Sequence, residues 1–352
     1  MARRNADAPA GGGRLAGPLR WLLPGVLLIA VFMLCVMAGS VQIPFGRALS
    51  ILGGALTGQG AAGDSDTAIL LLVRVPRVLC VMLTGAALSL CGAAMQGLLR
   101  NPLADGATLG VSSGASLGAM LAILLGFRLP ALPLAGTAVM AVAFAFLAMA
   151  LVLSLAYALD RSLSTTTIIL IGIVLTMFTG SLMSLVITFS GTMLRPLTYW
   201  TLGSLAASGY AEALLLLLAL VVCGAVLLGR AREQDAFSLG EENARHVGVD
   251  VRRVKLALMA AVSLLIGVCV SVGGSIGFVG LVIPHISRAL AGPAHRRLLP
   301  HAMMLGGVFL MLADLAARTL LRPAELPLGV VTSVVGSVFF VFILFRGRRR
   351  AA

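Results

Sequence analysis

Charges, prolines and glycines divide the chain into a series of long apolar stretches. They cover residues 21–38, 69–98, 109–126, 132–158, 164–188, 210–229, 254–272, 277–291, 299–320 and 327–345. A helix needs about 20 apolar residues to cross a bilayer, and most of the stretches are close to that length. Shorter ones, notably 277–291, are typical of helices buried among neighbouring helices. The pattern predicts an all-α polytopic membrane protein with about ten transmembrane helices.

Residue usage excludes several other classes of protein. The chain is 59% hydrophobic and 11% charged, whereas a soluble domain has about 45–50% apolar and about 25% charged residues. A soluble enzyme, a disulfide scaffold and a disordered chain are therefore excluded. The five cysteines lie in apolar stretches without C-x-x-C spacing, so we interpret them as small buried hydrophobic residues. They are Cys35, Cys80, Cys91, Cys223 and Cys269.

The basic residues predict an orientation in the membrane. Lys and Arg number 26 and Asp and Glu 13; in a membrane protein such an excess marks cytoplasmic loops rather than a nucleic-acid partner. With ten spans and both termini cytoplasmic, 19 basic residues lie inside and 7 outside. We predict a cytoplasmic tail at 1–20, a transmembrane domain at 21–346 and a cytoplasmic basic tail at 347–352. The outside residues are Arg47, Arg74, Arg77, Arg128, Arg195, Arg318 and Arg322.

The segment 230–255 is the main polar region and holds 11 of the 39 charges. Ser238 and Glu241 have capping-box spacing, and Gly248 is suited to end a helix. A helix over 239–247 would place Leu239, Ala244 and Val247 on one face and pair Glu241 with Arg245. So short a helix persists only when it packs against something. The alternative is an ordinary solvated loop.

Several kinds of site are missing from the sequence. The only lysine, Lys255, follows Val254 rather than glycine, so there is no G-x-x-x-x-G-K-[S/T] phosphate loop. We expect this chain to bind no ATP, no metal and no other cofactor. Asp314 is the one obvious carboxylate within the spans, and a lone intramembrane acid is a functional candidate. A proton- or sodium-driven carrier would be expected to show more than one.

Nine different short motifs follow one another along the chain. They are Arg74-Val-Pro-Arg77, Gln96-Gly-Leu-Leu-Arg-Asn-Pro-Leu-Ala-Asp105, Leu109-Gly-Val-Ser-Ser-Gly-Ala115, Leu163-Ser-Thr-Thr166, Tyr199-Trp-Thr-Leu-Gly-Ser204, Ser238-Leu-Gly-Glu-Glu-Asn-Ala-Arg-His-Val-Gly248, Gly277-Phe-Val-Gly-Leu-Val-Ile-Pro-His-Ile-Ser-Arg288, His295-Arg-Arg-Leu-Leu-Pro300 and Glu325-Leu-Pro-Leu-Gly329. From about Arg74 to Phe345 the chain resembles the FecCD-type permeases, the membrane subunits of ABC importers for ferric siderophores, haem and cobalamin. One departure is Gly106, where that family usually has proline; it should loosen a cytoplasmic turn.

The resemblance implies a type II ABC importer permease fold in a bacterial inner membrane. Two copies of the chain would surround one pathway, with two separate ATPase subunits, which bind Mg-ATP, on the cytoplasmic side. A periplasmic binding protein would deliver the substrate. The helix at 239–247 matches the family's coupling helix, which packs into a cleft of the ATPase. Its residues are Leu239, Gly240, Glu241, Glu242, Ala244, Arg245 and Gly248.

The resemblance also implies roles for residues near the two membrane surfaces. Arg74, Arg77 and Arg318 match positions that meet acidic residues of the binding protein, and guanidinium groups favour bidentate pairs with carboxylates. These arginines would form a positive outer rim, unless they only snorkel or meet lipid head groups. Thr165 and Thr166 match a cytoplasmic gate; the alternative is a plain helix start capped by Ser164.

The substrate is inferred from the predicted outer mouth of the pathway. Arg195 lies there beside Tyr199 and Trp200, whose alternative role is to anchor the membrane interface. In a dimer, two copies of Arg195 would face the two propionates of a haem. We therefore predict an iron chelate, with haem ahead of a ferric siderophore. The alternatives are cobalamin and, in a different class, an ion-driven secondary transporter.

Overall fold

The computed structural model describes residues 19–39, 43–57, 64–106, 108–127, 135–161 and 164–348. Most of the predicted tails at 1–20 and 347–352, together with Arg128, lies outside these ranges. Within them the chain is helical and contains no strand. The helices are α1 Leu19–Met37, α2 Phe45–Thr57, α3 Ser65–Ala68, α4 Val75–Leu98, α5 Val111–Leu124, α6 Ala135–Leu159, α7 Thr165–Thr188, α8 Leu194–Thr201, α9 Tyr210–Gly229, α10 Ala231–Ser238, α11 Glu241–His246, α12 Val251–Gly273, α13 Val279–Ala291, α14 His295–Thr319 and α15 Leu328–Arg348.

Each predicted apolar stretch forms a helix, although the helices differ in length. Among the described residues, six are long and apolar enough to cross a membrane: Ser65–Leu98, Gly136–Leu159, Thr165–Thr188, Tyr210–Gly229, Val251–Gly273 and His295–Thr319. The other four apolar helices are shorter: Trp21–Met37, Val111–Leu124, Val279–Ala291 and Leu328–Phe342. The prediction of an all-α, multi-pass protein is confirmed, and the number of crossings stays a prediction.

Helix α4 is the centre of the bundle. It continues α3 through the π-helical turn Ile69–Arg74, and nearly all of its residues are buried against α14, α13, α9 and α12. Glycines make this close packing possible, because a methyl group on Gly85 would overlap the backbone of Gly306, and one on Gly92 would overlap that of Gly280. Small residues let helices approach in this way inside a membrane.

The outer helices present large apolar side chains to their surroundings. On α7 they include Leu170, Val174 and Met177, and on α9 they include Leu214 and Val221. Large contiguous apolar surfaces are rare on soluble proteins and mark contact with a membrane or another protein. The faces are therefore suited to lipid or to another apolar protein surface.

Two breaks in the helices lie inside the bundle. Residues 101–106 and 108–110 lie among the helices, since Gly106 packs against Ile266 of α12 and the 108–109 backbone lies against Gly172 of α7. The segment 274–278 separates α12 from α13, with Phe278 in the left-handed region at φ 67°. Gly106 is thus buried, and its loosening of the turn stays a prediction. Non-helical backbone at membrane depth occurs where it is buried in protein or lines a cavity.

Candidate functional site

A short helical segment, α10 and α11, lies at one end of the bundle, which we call the Lys255 end. Phe237 of α10 is fully buried and Ala244 of α11 is 1% exposed, so both helices pack firmly against the bundle. Gly248, at φ 86°, ends α11, and the next amide, that of Val249, donates to the Ala244 carbonyl at 3.0 Å. The prediction of a packed helix ended by Gly248 is confirmed, and the solvated-loop alternative is wrong.

The start of this helix differs from the prediction. It covers Glu241–His246 rather than 239–247, and its N-cap is Gly240, at φ 109°. Ser238 does not form the capping box, because its hydroxyl donates back to the Gln234 carbonyl at 3.4 Å. A left-handed residue at the N-cap turns the chain sharply, and this turn moves Ser238 out of capping position.

Two contacts predicted for α11 are also replaced. Glu241 pairs with Lys255, with 2.7 Å between Nζ and Oε1, rather than with Arg245, whose side chain is exposed. Leu239 and Val247 are each 71% exposed, whereas Ala244 faces inward, so these three residues do not share one face. The outer surface of α11 and its flanking residues therefore combines Leu239 and Val247 with Glu242 and Arg245, all of them exposed.

A groove lies beside α11 and reaches the start of α7. It has a volume of about 430 Å³ and is lined by Arg100, Ser164, Leu239, Gly240, Glu241, Glu242 and Asn243. Ser164 caps α7, since its hydroxyl accepts from the Thr167 amide at 3.4 Å. The helix-start interpretation of Thr165 and Thr166 is thereby confirmed. Their role as a gate stays a prediction.

At the opposite end of the bundle, which we call the Asp314 end, a largely buried network joins charged side chains of α4, α14, the turn before α4 and the loop before α15 to backbone carbonyls of α1. Asp314 accepts from Arg77 at 2.9 Å and lies 3.0 Å from Arg318. Arg77 also pairs with Glu325 at 3.0 Å. Arg74 donates to the Met37 carbonyl at 2.7 Å and Arg318 to the Cys35 carbonyl at 3.0 Å, both at the end of α1.

This network contradicts the prediction of an exposed positive rim. Arg74, Arg77 and Arg318 are only 5%, 9% and 5% exposed. A buried carboxylate such as Asp314 requires positive partners, and the last carbonyl groups of α1 require donors. The guanidinium groups are therefore buried, where they contact the Asp314 carboxylate and the last carbonyl groups of α1. Asp314 is correspondingly a paired structural acid in this geometry, and contact of the arginines with a binding protein stays an untested prediction.

Arg195 and its aromatic neighbours lie on the short helix α8. The Arg195 side chain is exposed, and its guanidinium carbon lies 5.8 Å from the centre of the Tyr199 ring. The other end of α8 reaches a cavity, because Thr201 lines it. Thr201 lies six positions after Arg195, about 9 Å farther along the helix axis.

That cavity is a feature that the sequence did not reveal. Its volume is about 490 Å³, and both helix breaks contribute to its wall. Asp105 and Thr108 come from the first break, where the Thr108 amide donates to the Asp105 carboxylate at 2.9 Å. The remaining lining residues are Thr201, Leu202, Ser275, Gly277, Phe278, Leu281, Gly329, Val330, Ser333 and Val334. The glycines around 274–277 were the available signal, since they interrupt an otherwise continuous apolar stretch.

The five cysteines are buried free thiols, as predicted. Among the residues that the structure describes, no three His, Cys, Asp or Glu side chains lie close enough together to hold a metal ion.

Comparison with known proteins identifies the family. The model of the FecCD transport family matches residues 27–346. YvrB of Bacillus subtilis, an uncharacterized ABC transporter permease protein, is 43% identical and covers 92% of this chain and 93% of its own length. The cobalamin import system permease protein BtuC of Halobacterium salinarum is 37% identical over 93% of this chain and 90% of its own length.

A third relative and a solved structure agree with this result. The hemin transport system permease protein HmuU of Yersinia pestis is 37% identical over 82% of this chain and 87% of its own length. A solved structure described as an inward-facing ABC transporter of metal-chelate type matches with a TM-score of 0.81 and 30% identity, over 94% of this chain and all of that one. The chain therefore belongs to the FecCD transport family and is a multi-pass membrane permease of an ABC importer.

Proposed function

We propose that two copies of this chain form the pathway of an ATP-driven importer that carries an iron chelate from periplasm to cytoplasm across a bacterial inner membrane. Haem is the first candidate, ahead of a ferric siderophore. Cobalamin is the alternative, because the relatives include both hemin and cobalamin permeases. The observation that carries the iron assignment is the exposed Arg195 on a helix whose far end lines the cavity.

The cavity suits a largely apolar ligand. Phe278, Leu281, Val330 and Val334 supply apolar surface, and a few hydroxyl groups stand beside them. The flat apolar ring of a haem would lie against such a wall, and its propionates would meet the two Arg195 copies of the dimer. A highly hydroxylated ligand would leave polar groups unpaired there, at about 1–3 kcal/mol each.

The energy for transport comes from partner subunits in this proposal. The Lys255 end faces the cytoplasm, as do both termini, and the exposed surface of α11 packs against an ATPase. This chain itself has no phosphate loop for ATP, because its single lysine lies in a helix. A periplasmic binding protein delivers the substrate at the Asp314 end.

The test is ATP-dependent uptake into proteoliposomes that contain the permease, its ATPase and the cognate binding protein. Haem, a ferric siderophore and cobalamin are compared as substrates. We expect uptake of haem, a tenfold or larger loss with Arg195→Ala, and a smaller loss with Arg195→Lys, which keeps the charge. Tenfold corresponds to about 1.4 kcal/mol, a typical value for one charged hydrogen bond.

Two outcomes would contradict the proposal at different levels. Uptake of cobalamin without haem or siderophore would overturn the iron assignment, and normal haem uptake by Arg195→Ala would remove its rationale. Transport by the permease without any ATPase would instead favour a self-powered carrier.

A further inference from the structure

Two partly buried polar contacts attach the segment 231–248 to the long helices. The first joins α11 to α12, where Lys255 Nζ donates to Glu241 Oε1 at 2.7 Å. The Lys255 side chain is 8% exposed, and it is the only lysine among 26 basic residues. A buried ammonium group without its partner is costly, so this contact holds α11 to α12 strongly.

The second contact joins α10 to α14. One oxygen of Asp235 lies 2.7 Å from Nδ1 of His295 and also accepts from the His295 backbone amide at 2.7 Å. Asp235 therefore satisfies one of the free amides at the start of α14 from outside that helix. The imidazole is held on its other side by α4, since any side chain at Gly97 would overlap it.

The two contacts attach the segment 231–248 to different parts of the bundle. Helix α12 carries Lys255 near its start and ends at Gly273, and the segment that follows it, 274–278, lines the cavity wall. Helix α14 runs from His295 to Thr319 and packs along α4, the buried centre of the bundle. Contiguous packed elements therefore connect α11, through Lys255, to a helix that ends at the cavity.

We propose that the Glu241–Lys255 and Asp235–His295 pairs are positioning contacts that make α10 and α11 move together with α12 and α14 during transport. This inference rests on the proposed function, because it assigns the pairs to the transmission of ATPase motion. In this role Lys255 touches neither substrate nor nucleotide; it acts through Glu241 and α12.

The first experiment measures substrate taken up per ATP hydrolysed in the complete reconstituted complex. We expect Lys255→Met and Lys255→Glu each to lower this ratio about tenfold, and Lys255→Glu combined with Glu241→Lys to restore it to within about threefold, because residues in direct contact couple energetically. Asp235→Ala is expected to lower the ratio in the same way, whereas Asp235→Asn, which keeps an acceptor for His295, retains more of it.

Arg253→Glu is the matched control. It changes a charge two positions from Lys255, but the Arg253–Asp250 pair is 88% and 53% exposed, and we expect the ratio to stay at the wild-type value. Complex assembly and thermal unfolding are measured in parallel. The inference is overturned when single variants keep the wild-type ratio, or lose uptake only in proportion to the complex that fails to assemble. Absence of ATP-driven transport by the wild type would instead overturn the proposed function.

A second measurement uses the wild-type chain. Because Lys255 is the only lysine, an amine-reactive reagent modifies one side chain, and its peptide is separated from the amino terminus by mass. We expect labelling of Lys255 to be at least tenfold slower, with and without ATP, than labelling of the exposed lysine introduced by Arg253→Lys, since the buried pair stays closed. Equal labelling rates in either state would show that the contact opens, and would overturn the inference.

Discussion

At the scale of single residues, Asp314 organises one end of the bundle. Its carboxylate is buried and meets two guanidinium groups, those of Arg77 and Arg318. These side chains also reach Glu325 and the Cys35 carbonyl at the end of α1. One acid thereby connects α4, α14, α1 and the loop before α15. Removing one partner of such a network leaves a buried charge uncompensated.

We therefore predict that Asp314→Ala lowers the free energy of unfolding by about 3–5 kcal/mol. Thermal unfolding of the purified chain in detergent measures the effect. Glu325→Gln is the control, because the Glu325 side chain is 42% exposed and a solvated ion pair contributes only about 0–1 kcal/mol. Equal losses of stability for the two variants would show that Asp314 is not the centre of the network.

At the scale of elements, close helix packing depends on missing side chains. Gly92 of α4 faces the backbone of Gly280 in α13, so a larger residue has no space. We predict that Gly92→Val destabilises the chain by about 1–3 kcal/mol or more through overpacking, measured as a lower unfolding temperature and a smaller monodisperse fraction. Gly180→Val is the control, since a Cβ at Gly180 in α7 meets nothing within 4 Å. A Gly92→Val protein as stable as the control would contradict the packing described.

A second prediction at this scale concerns the exposed apolar residues on either side of α11. Leu239 and Val247 are large apolar residues that stay 71% exposed in the isolated chain, and their burial against an ATPase would contribute about 1.5–3 kcal/mol each. We predict that Leu239→Asp and Val247→Asp each weaken binding of the ATPase subunit tenfold or more in a direct affinity measurement. Arg232→Ala, at an exposed position on α10, serves as the control and should bind as the wild type does. Unchanged affinity of both aspartate variants would remove α11 from the interface.

At the scale of the whole molecule, the chain is the permease component of an ABC transporter. It has the membrane helices and a cavity, but its sequence has no phosphate loop. We predict that the purified chain alone neither hydrolyses ATP nor transports substrate, and that both activities arise when ATPase and binding protein are added. Steady-state ATP turnover and vesicle uptake measure this. ATP turnover by the chain itself, free of contaminating ATPases, would contradict the prediction that a separate subunit hydrolyses ATP.

The sequence could predict those features that depend on local composition. Apolar length alone located every membrane-length helix, and the ordered motifs identified the FecCD family that the comparison confirmed. Gly248 was recognised as a helix end because a positive φ favours glycine. Burial of the five cysteines followed from their apolar surroundings. None of these features requires knowledge of which helices are neighbours.

Only the tertiary structure decided how the charged residues pair and where the helices break inward. The sequence placed Arg74, Arg77 and Arg318 on an exposed rim, whereas Asp314 and the end of α1 draw them inside. Glu241 matched Arg245 by helical spacing, yet it reaches Lys255 from the next helix. A polar side chain in an apolar interior takes whichever partner the packing brings near, and that partner is distant in sequence. Apolar length is a local property that the sequence states directly, whereas the choice of ionic partners and the cavity between two helix breaks exist only once the helices are assembled.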